Sequence, residues 1–400
     1  MLCLLQRRDG AMQHEFTNDN AQRHLQTGNA VAAHELLERA VRENPSQAAL
    51  WIDLAASLRQ LGRHDDEAAA LERALALEPR NLRALLQKAS LFELKGDSRE
   101  AAVAYRNALQ VIPPGIDMPA PLAEIVAHAR RRVDENNRAL ESFVERRLEQ
   151  VRSRHRGERM DRFDGCLSVL LQKERIYRPQ PTFLHFPQLA PIEYYERALF
   201  PWLDRVEAAS DAIRDEFLNV LGDGPAEFEP YVAFREGVPV DQWRALNHSR
   251  RWSVYYLWRE GVPQPAHIAR CPRTVEALGD WPRWDANGPT VVFSVLDAKT
   301  RIPPHSGVYN TRLTVHLPLV IPERCGLRVG AQVRRWEPGK AMVFDDTFEH
   351  EAWNDSALPR AVLIFDTWNP SLSAAERDLV RATVAAFDEY YTGARAAGIA

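Results

Sequence analysis

Cysteine is scarce: Cys3, Cys166, Cys271 and Cys325 are the four in 400 residues, and no two are close in sequence. That excludes a CxxC redox pair and a spaced zinc-ligand set, and it fits reduced thiols in the cytoplasm. No apolar run reaches the roughly 18 residues of a transmembrane helix. The apolar opening, Met1 to Leu5, is too short for a secretory signal, and Arg7-Arg8 follows it instead of preceding it. Met12 is an alternative start. Positive charge is not in excess either: 51 Lys and Arg against 55 Asp and Glu give −4, so no global field draws the chain to nucleic acid or anionic lipid. What is present is the balance of a soluble globular protein, 45% apolar and 26% charged, long enough for two or three domains with real cores.

The amino-terminal third repeats. Gly28, Gly62 and Gly96 are spaced by 34, as are Pro45, Pro79 and Pro113, and Ala40, Ala74 and Ala108. Ala21, Ala55 and Ala89 keep the same register, as do Leu37, Leu71 and Tyr105, while Trp51 and Leu85 share an early apolar position. Small Ala lets two antiparallel helices approach. Gly ends the first helix of each pair, where a left-handed backbone costs least, and Pro stops the second. The pattern resembles the tetratricopeptide repeat and predicts an array of about three repeats over 12–114. Such arrays stack into a superhelix whose concave face can hold a peptide, or they act as spacers and dimerisation elements.

A helical connector is expected over 115–174. From Ala129 to Arg162 eleven Arg face seven Asp and Glu, but Phe143 and, just beyond, Phe163 are the only aromatics near them, so there is no stacking platform for nucleic acid. Glu141, Glu145 and Glu149 instead suggest i, i+4 pairing on a solvated helix. Proline then breaks the chain between Tyr177 and Pro191. Ile192 to Leu221 reads as two helices joined near Ala209-Ser210-Asp211, and Gly222-Asp223-Gly224 as a break.

From 175 to 400 a second domain is expected, β-rich from about 230. The predicted strands are 253–258, 291–296, 312–320, 326–329, 340–344 and 361–367. Gly288-Pro289, Pro303-Pro304, Pro322 and Pro338-Gly339 read as the turns between them. A sandwich or jelly roll is the expected architecture, closed by a helix from Ala374 to about Ala397 with Ser373 as N-cap. His305 and His350 lie 45 residues apart, each at a strand end, and Arg360 precedes an apolar strand. Two imidazoles with open positions suit non-haem Fe(II), and an Arg can grip a carboxylate in bidentate fashion. Two histidines satisfied by ordinary hydrogen bonds would give the same spacing.

The local words carry more. His305-Ser306-Gly307 with Asn310 and Arg312-Leu313, His316-Leu317, Trp336-Glu337-Pro338-Gly339-Lys340, the FDDTFEHEAWN stretch, and Arg360 through Trp368-Asn369-Pro370 together resemble the aspartyl/asparaginyl β-hydroxylase family. The resemblance covers about 180–370. It implies a double-stranded β-helix of the Fe(II)- and 2-oxoglutarate-dependent oxygenases, which in some members follows tetratricopeptide repeats. His305 and His350 match the two iron ligands, with Gly307 where the wider superfamily has a carboxylate. Arg360 matches the Arg that binds the distal carboxylate of 2-oxoglutarate; Ser294, His316 and Trp252 match further cosubstrate contacts. The branch often carries a second Arg where this chain has Thr314, and Arg312 lies on the same face of that strand. The paired cysteines of secretory-pathway members are missing. Asp345 and Asp346 read as turn residues that orient the His350 loop.

The resemblance therefore implies hydroxylation of a C–H bond with Fe(II), 2-oxoglutarate and O2. The β-carbon of an Asp or Asn in a protein or peptide is the expected target, with the repeats helping to hold the substrate. Alternatives are a lipid acyl chain, an amino acid of a peptide natural product, or a repeat-based binding scaffold whose β domain no longer turns over. No nucleic-acid partner and no membrane span are expected.

Overall fold

In the computed structural model, the described residues are 19–113, 115–223 and 225–396. Met1, Cys3, Met12, the first residues of the expected repeat array, its last residue Pro114, Gly224 of the expected break and Ala397 lie outside them. The chain divides into two compact units between Leu167 and Ser168, and each is described by itself.

The first unit is helical. Residues 19–26 and Ala30–Glu43 form one helix pair, Ala48–Gln60 and His64–Leu77 a second, Leu82–Leu94 and Ser98–Gln110 a third. Gly28, Gly62 and Gly96 sit between the two helices of each pair at φ +76°, +74° and +83°, values that strain any residue with a Cβ. The repeated small residues are the seam: Ala40, Ala55, Ala74, Ala89 and Ala108 are all buried, and so are Leu37, Leu71 and Tyr105. The long helix Ala120–Arg154 buries only Val126, Ala129 and Val133. Its Arg-rich remainder is a solvated face, and the helical stretch does not run on unbroken. Gly157 turns at φ +97° before a new helix, Asp161–Leu170.

The second unit is β-rich. Strands β1 (Glu229–Pro230), β2 (Trp252–Arg259), β3 (Val262–Pro263), β4 (Val291–Leu296), β5 (Thr300–His305), β6 (Arg312–Val320), β7 (Cys325–Val329), β8 (Gln332–Arg334), β9 (Met342–Phe344), β10 (His350–Asn354) and β11 (Arg360–Trp368) form two sheets. One has the order β1-β2-β4-β11-β6-β9, with β3 beside β2; the other is β5-β10-β7-β8. Period-two alternation decides the layers. On β11, Ala361, Leu363 and Phe365 join the outer core beneath helices Leu203–Ala208 and Ser210–Asp223, through Leu203, Val206, Ile213 and Phe217. Val362, with Trp252 and Leu296, faces inward against Ile302, Leu327, Val329 and Ala352 of the second sheet. The closing helix, Ala374–Ala396, starts with the reciprocal cap its sequence suggests: Glu376 N donates to Ser373 Oγ (3.3 Å) and Ser373 N to Glu376 Oε2 (2.8 Å).

One expectation is corrected. Pro303-Pro304 is no turn; it lies inside β5, the strand that ends on His305. β5 is the edge of its sheet, so a missing backbone N–H breaks no ladder on the outer side.

Candidate active site

The two imidazoles meet across a strand pair. His305 ends β5, His350 begins β10, and the two are direct partners in register, with ring centroids 4.0 Å apart. Each Nδ1 donates to a carbonyl two residues earlier, His305 to Pro303 O (2.8 Å) and His350 to Phe348 O (3.0 Å). That fixes the proton on Nδ1 and leaves a lone pair on both Nε2 atoms. Burial, then the neighbouring His350, pulls the His305 pKa down to about 3, and burial lowers His350 as well. Two neutral imidazoles with free Nε2 lone pairs are a donor set that fits Fe(II). Among the described residues no three His, Cys, Asp or Glu side chains gather as a closed metal cage.

Deeper between the sheets lies a cation with no counter-ion among the described residues. Arg360 is 1% exposed, yet its Nε and Nη1 have no hydrogen-bond partner among the described residues. Burial brings its pKa down to about 10, with the Cys325 thiol working the other way. Its guanidinium lies 4.8 Å from the Trp336 ring centroid. Ser294, fully buried, accepts from Trp252 Nε1 at 3.0 Å, one strand over from Val362 of β11. His316 bridges the two regions: its ring is 4.9 Å from Phe344, which is itself 5.9 Å from His350. Unpaired, buried donors of this kind fit a carboxylate such as that of 2-oxoglutarate.

Arg312 lies on the imidazole side. It faces Trp368 in register, eight residues along β11 from Arg360, a rise of roughly 26 Å. The structure thus brings His305, His350, Trp252, Ser294, His316 and Arg360 around the interior between the sheets, with Arg312 opposite the other end of β11 from Arg360 and its charge acting on His350. There Arg312 Nη2 donates to Asp346 Oδ2 (2.7 Å), and Thr314 Oγ1 donates to the same oxygen (3.1 Å). Burial disfavours the Arg312 cation, but Asp346 and Asp366 outweigh it and hold its pKa above the ordinary value. Asp345 is the turn residue: its Oδ1 accepts from Thr347 N and Oγ1. Asp346 sits in the same turn, which Phe348 N closes by donating to Asp345 O, and its carboxylate points at Gly307, where a Cβ would stand 2.3 Å from Oδ1.

Gly307 is therefore required by Asp346, whose carboxylate fills the volume a side chain at 307 would use. Gly307→Ala is expected to lower stability by about 1–3 kcal/mol, the cost of overpacking a site that cannot give. A thermal melt of the variant checks this, and an unchanged midpoint would show that Asp346 is free to move. Sequence reasoning gave two residues less than their part. Asp346 was read as a turn residue, without the contacts to Gly307, Arg312 and Thr314 that its carboxylate makes. Trp336 was visible as a motif word without a role; its contacts depend on β6 and β11, far away in sequence.

Residues 207–370 match the family model for aspartyl/asparaginyl beta-hydroxylase, and this segment carries all eleven strands of the two sheets. By that match this segment resembles the family. Over 195 residues it is 33% identical to the ornithine lipid ester-linked acyl 2-hydroxylase of Rhizobium tropici, covering 48% of this chain and 66% of that one. Over 167 residues it is 34% identical to the aspartyl/asparaginyl beta-hydroxylase of Homo sapiens, covering 41% of this chain and 21% of that one. The chain thus spans under two thirds of the length of both relatives. Among solved structures, the Sgt2 TPR domain from Aspergillus fumigatus aligns with 32% of this chain and 82% of its own, at 17% identity and a TM-score of 0.28.

Proposed function

We propose that this chain is an Fe(II)- and 2-oxoglutarate-dependent dioxygenase that hydroxylates a C–H bond, with the β-carbon of Asp or Asn in a protein or peptide as the target. The observation that carries the reading is the pairing of two imidazoles with free Nε2 lone pairs and one buried guanidinium with two unspent donors. The proposed frame is a double-stranded β-helix over 175–400. Its support is the way consecutive strands β4 to β7 alternate between the two sheets, as do β9 to β11. Residues 12–114 are proposed as the repeat array and 115–174 as the connector.

Bound Fe(II) and 2-oxoglutarate would supply the oxidising chemistry, in which O2 yields the hydroxylated product, succinate and CO2. His305 and His350 would hold the metal through Nε2. Arg360 would take the distal carboxylate in a bidentate grip, with Ser294, Trp252 and His316 as further contacts. The apolar walls, Ile302, Leu327, Val329, Phe344 and Val362, would exclude water from that interior. Arg312, Thr314 and Asp346, at the other end of β11, would face the substrate side.

A cavity of about 750 Å³ in the repeat unit supports a peptide partner. Its lining mixes apolar Leu82 and Leu86 with Arg59, Arg83, Gln87 and His128, a surface able to meet both side chains and backbone. The Rhizobium relative favours a second reading, hydroxylation of a lipid acyl chain. No helix among the described residues is long and apolar enough to cross a membrane. Cys166, Cys271 and Cys325 are free thiols, in keeping with a cytoplasmic placement.

The test is an anaerobic titration of Fe(II) and 2-oxoglutarate into purified protein, followed by visible absorption. A charge-transfer band that needs both additions, and is lost in His305→Ala and Arg360→Ala, is the expected result. Its absence from folded, metal-loaded protein would move the weight to a binding scaffold.

A further inference from the structure

We infer that Trp336 is a positioning residue that fixes His316 as its Nε2–H tautomer and holds the Arg360 guanidinium, so that one indole sets both donors for a bound dicarboxylate. The inference rests on the cosubstrate reading above. Trp336 is 4% exposed, in the same inner core as Val329, Phe344 and Val362. Its indole Nε1 donates to His316 Nδ1 at 3.3 Å. An indole N–H cannot accept, so Nδ1 must hold the lone pair and the ring proton must sit on Nε2. His316 Nε2 makes no hydrogen bond to any described residue. The same indole lies 4.8 Å from the Arg360 guanidinium carbon and within 24° of coplanar with the His316 ring. A neutral ring is enforced by burial first, then by Arg360 and His350, all of which oppose an imidazolium.

The contrast with the other two histidines supports the assignment. His305 and His350 meet carbonyls at Nδ1 and so present lone pairs, the form that binds a metal. His316 meets a donor at Nδ1 and so presents an N–H, the form that binds an anion. Thr314 Oγ1 and Arg312 Nη2 both donate to Asp346. His316 is then a neutral N–H donor that shares the Trp336 indole with Arg360 and can complement its charge on a bound dicarboxylate.

The experiment uses full-length, metal-free protein labelled with ¹⁵N at its 12 histidines, and the His316 signals are assigned by their loss in His316→Gln. The expected spectrum has His316 in a single neutral form protonated at Nε2. Trp336→Phe keeps a ring beside Arg360 but removes the donor, and it is expected to spread His316 over both tautomers. In Zn(II)-loaded protein, which binds without turnover, calorimetry should show the same variant binding 2-oxoglutarate more weakly by the inverse of the Nε2–H fraction, about twofold for an even spread. In the His316→Gln background the amide N–H needs no tautomer, so Trp336→Phe should leave the affinity unchanged. A wild-type His316 protonated at Nδ1 would overturn the inference. So would an equal loss in both backgrounds, which is what a packing role alone predicts. Wild-type protein that binds no 2-oxoglutarate would instead sink the cosubstrate reading, and the nitrogen shifts would still decide whether Trp336 sets the tautomer.

Discussion

Arg360→Met is expected to make the protein more stable and unable to bind 2-oxoglutarate. The two effects have one cause. Among the described residues Arg360 is a buried cation without a counter-ion, and its Nε and Nη1 have no hydrogen-bond partner. An unpaired buried charge costs several kcal/mol, and exchange for an apolar side chain of similar length is worth about 1–4 kcal/mol. In a domain of this size each kcal/mol moves the melting midpoint by about 2–4 °C. The ligand supplies the missing partner: a carboxylate gripped through two charge-assisted hydrogen bonds, so its removal should weaken 2-oxoglutarate by at least about a hundredfold. Differential scanning calorimetry of the ligand-free protein and titration calorimetry with 2-oxoglutarate read the two effects separately. Unchanged affinity would sink the carboxylate assignment, and a fall in the midpoint would mean that Arg360 is already satisfied in the fold.

His350→Ala should abolish turnover while leaving the fold intact. His350 is the first residue of β10, and its ring touches His305 and Phe344 rather than filling the core. Truncation therefore costs little packing. It removes one of only two proposed protein ligands, and metal chemistry supplies several kcal/mol of barrier lowering, so a loss on the order of a thousandfold or more is expected. Succinate formation under strict control of Fe(II) is the measurement, with the melting curve as the check on folding. Glu351→Gln is the matched control, because Glu351 pairs with Arg328 on the neighbouring strand (2.5 Å) and touches neither imidazole. Turnover in His350→Ala equal to wild type would end the two-imidazole reading.

The legible parts of this molecule are those where a local rule is enough. The 34-residue register names its own function in the fold. Gly at +76°, +74° and +83° is a turn that other residues resist, and Ala at each seam is the distance between two helices. Strands β2, β4, β6 and β11 announce themselves by β-branched and aromatic runs. β5 and β10 do not: one contains two prolines and the other reads His-Glu-Ala-Trp-Asn. Their identity as strands comes from pairing with each other and with β7, which a local window cannot register. Both carry the histidines, so the strands hardest to read are the ones that bring the site together.

Sequence by itself determined the helical repeat, the alternation of the strands and which residue types could do chemistry, because backbone propensity and period-two burial are properties of neighbours in the chain. Tertiary structure alone decided what each of those residues faces. Arg312 and Arg360 have the same chemistry, but one meets the Asp346 carboxylate, while the other meets the Trp336 ring and leaves Nε and Nη1 without a hydrogen-bond partner among the described residues. His305, His316 and His350 are three imidazoles, and what each Nδ1 touches decides whether the ring presents a lone pair or a proton. Gly307 is glycine because a carboxylate from a distant loop occupies its side-chain volume. Charge pairing, tautomer and excluded volume are set by atoms within a few ångströms, and those atoms come from parts of the chain that only folding brings together.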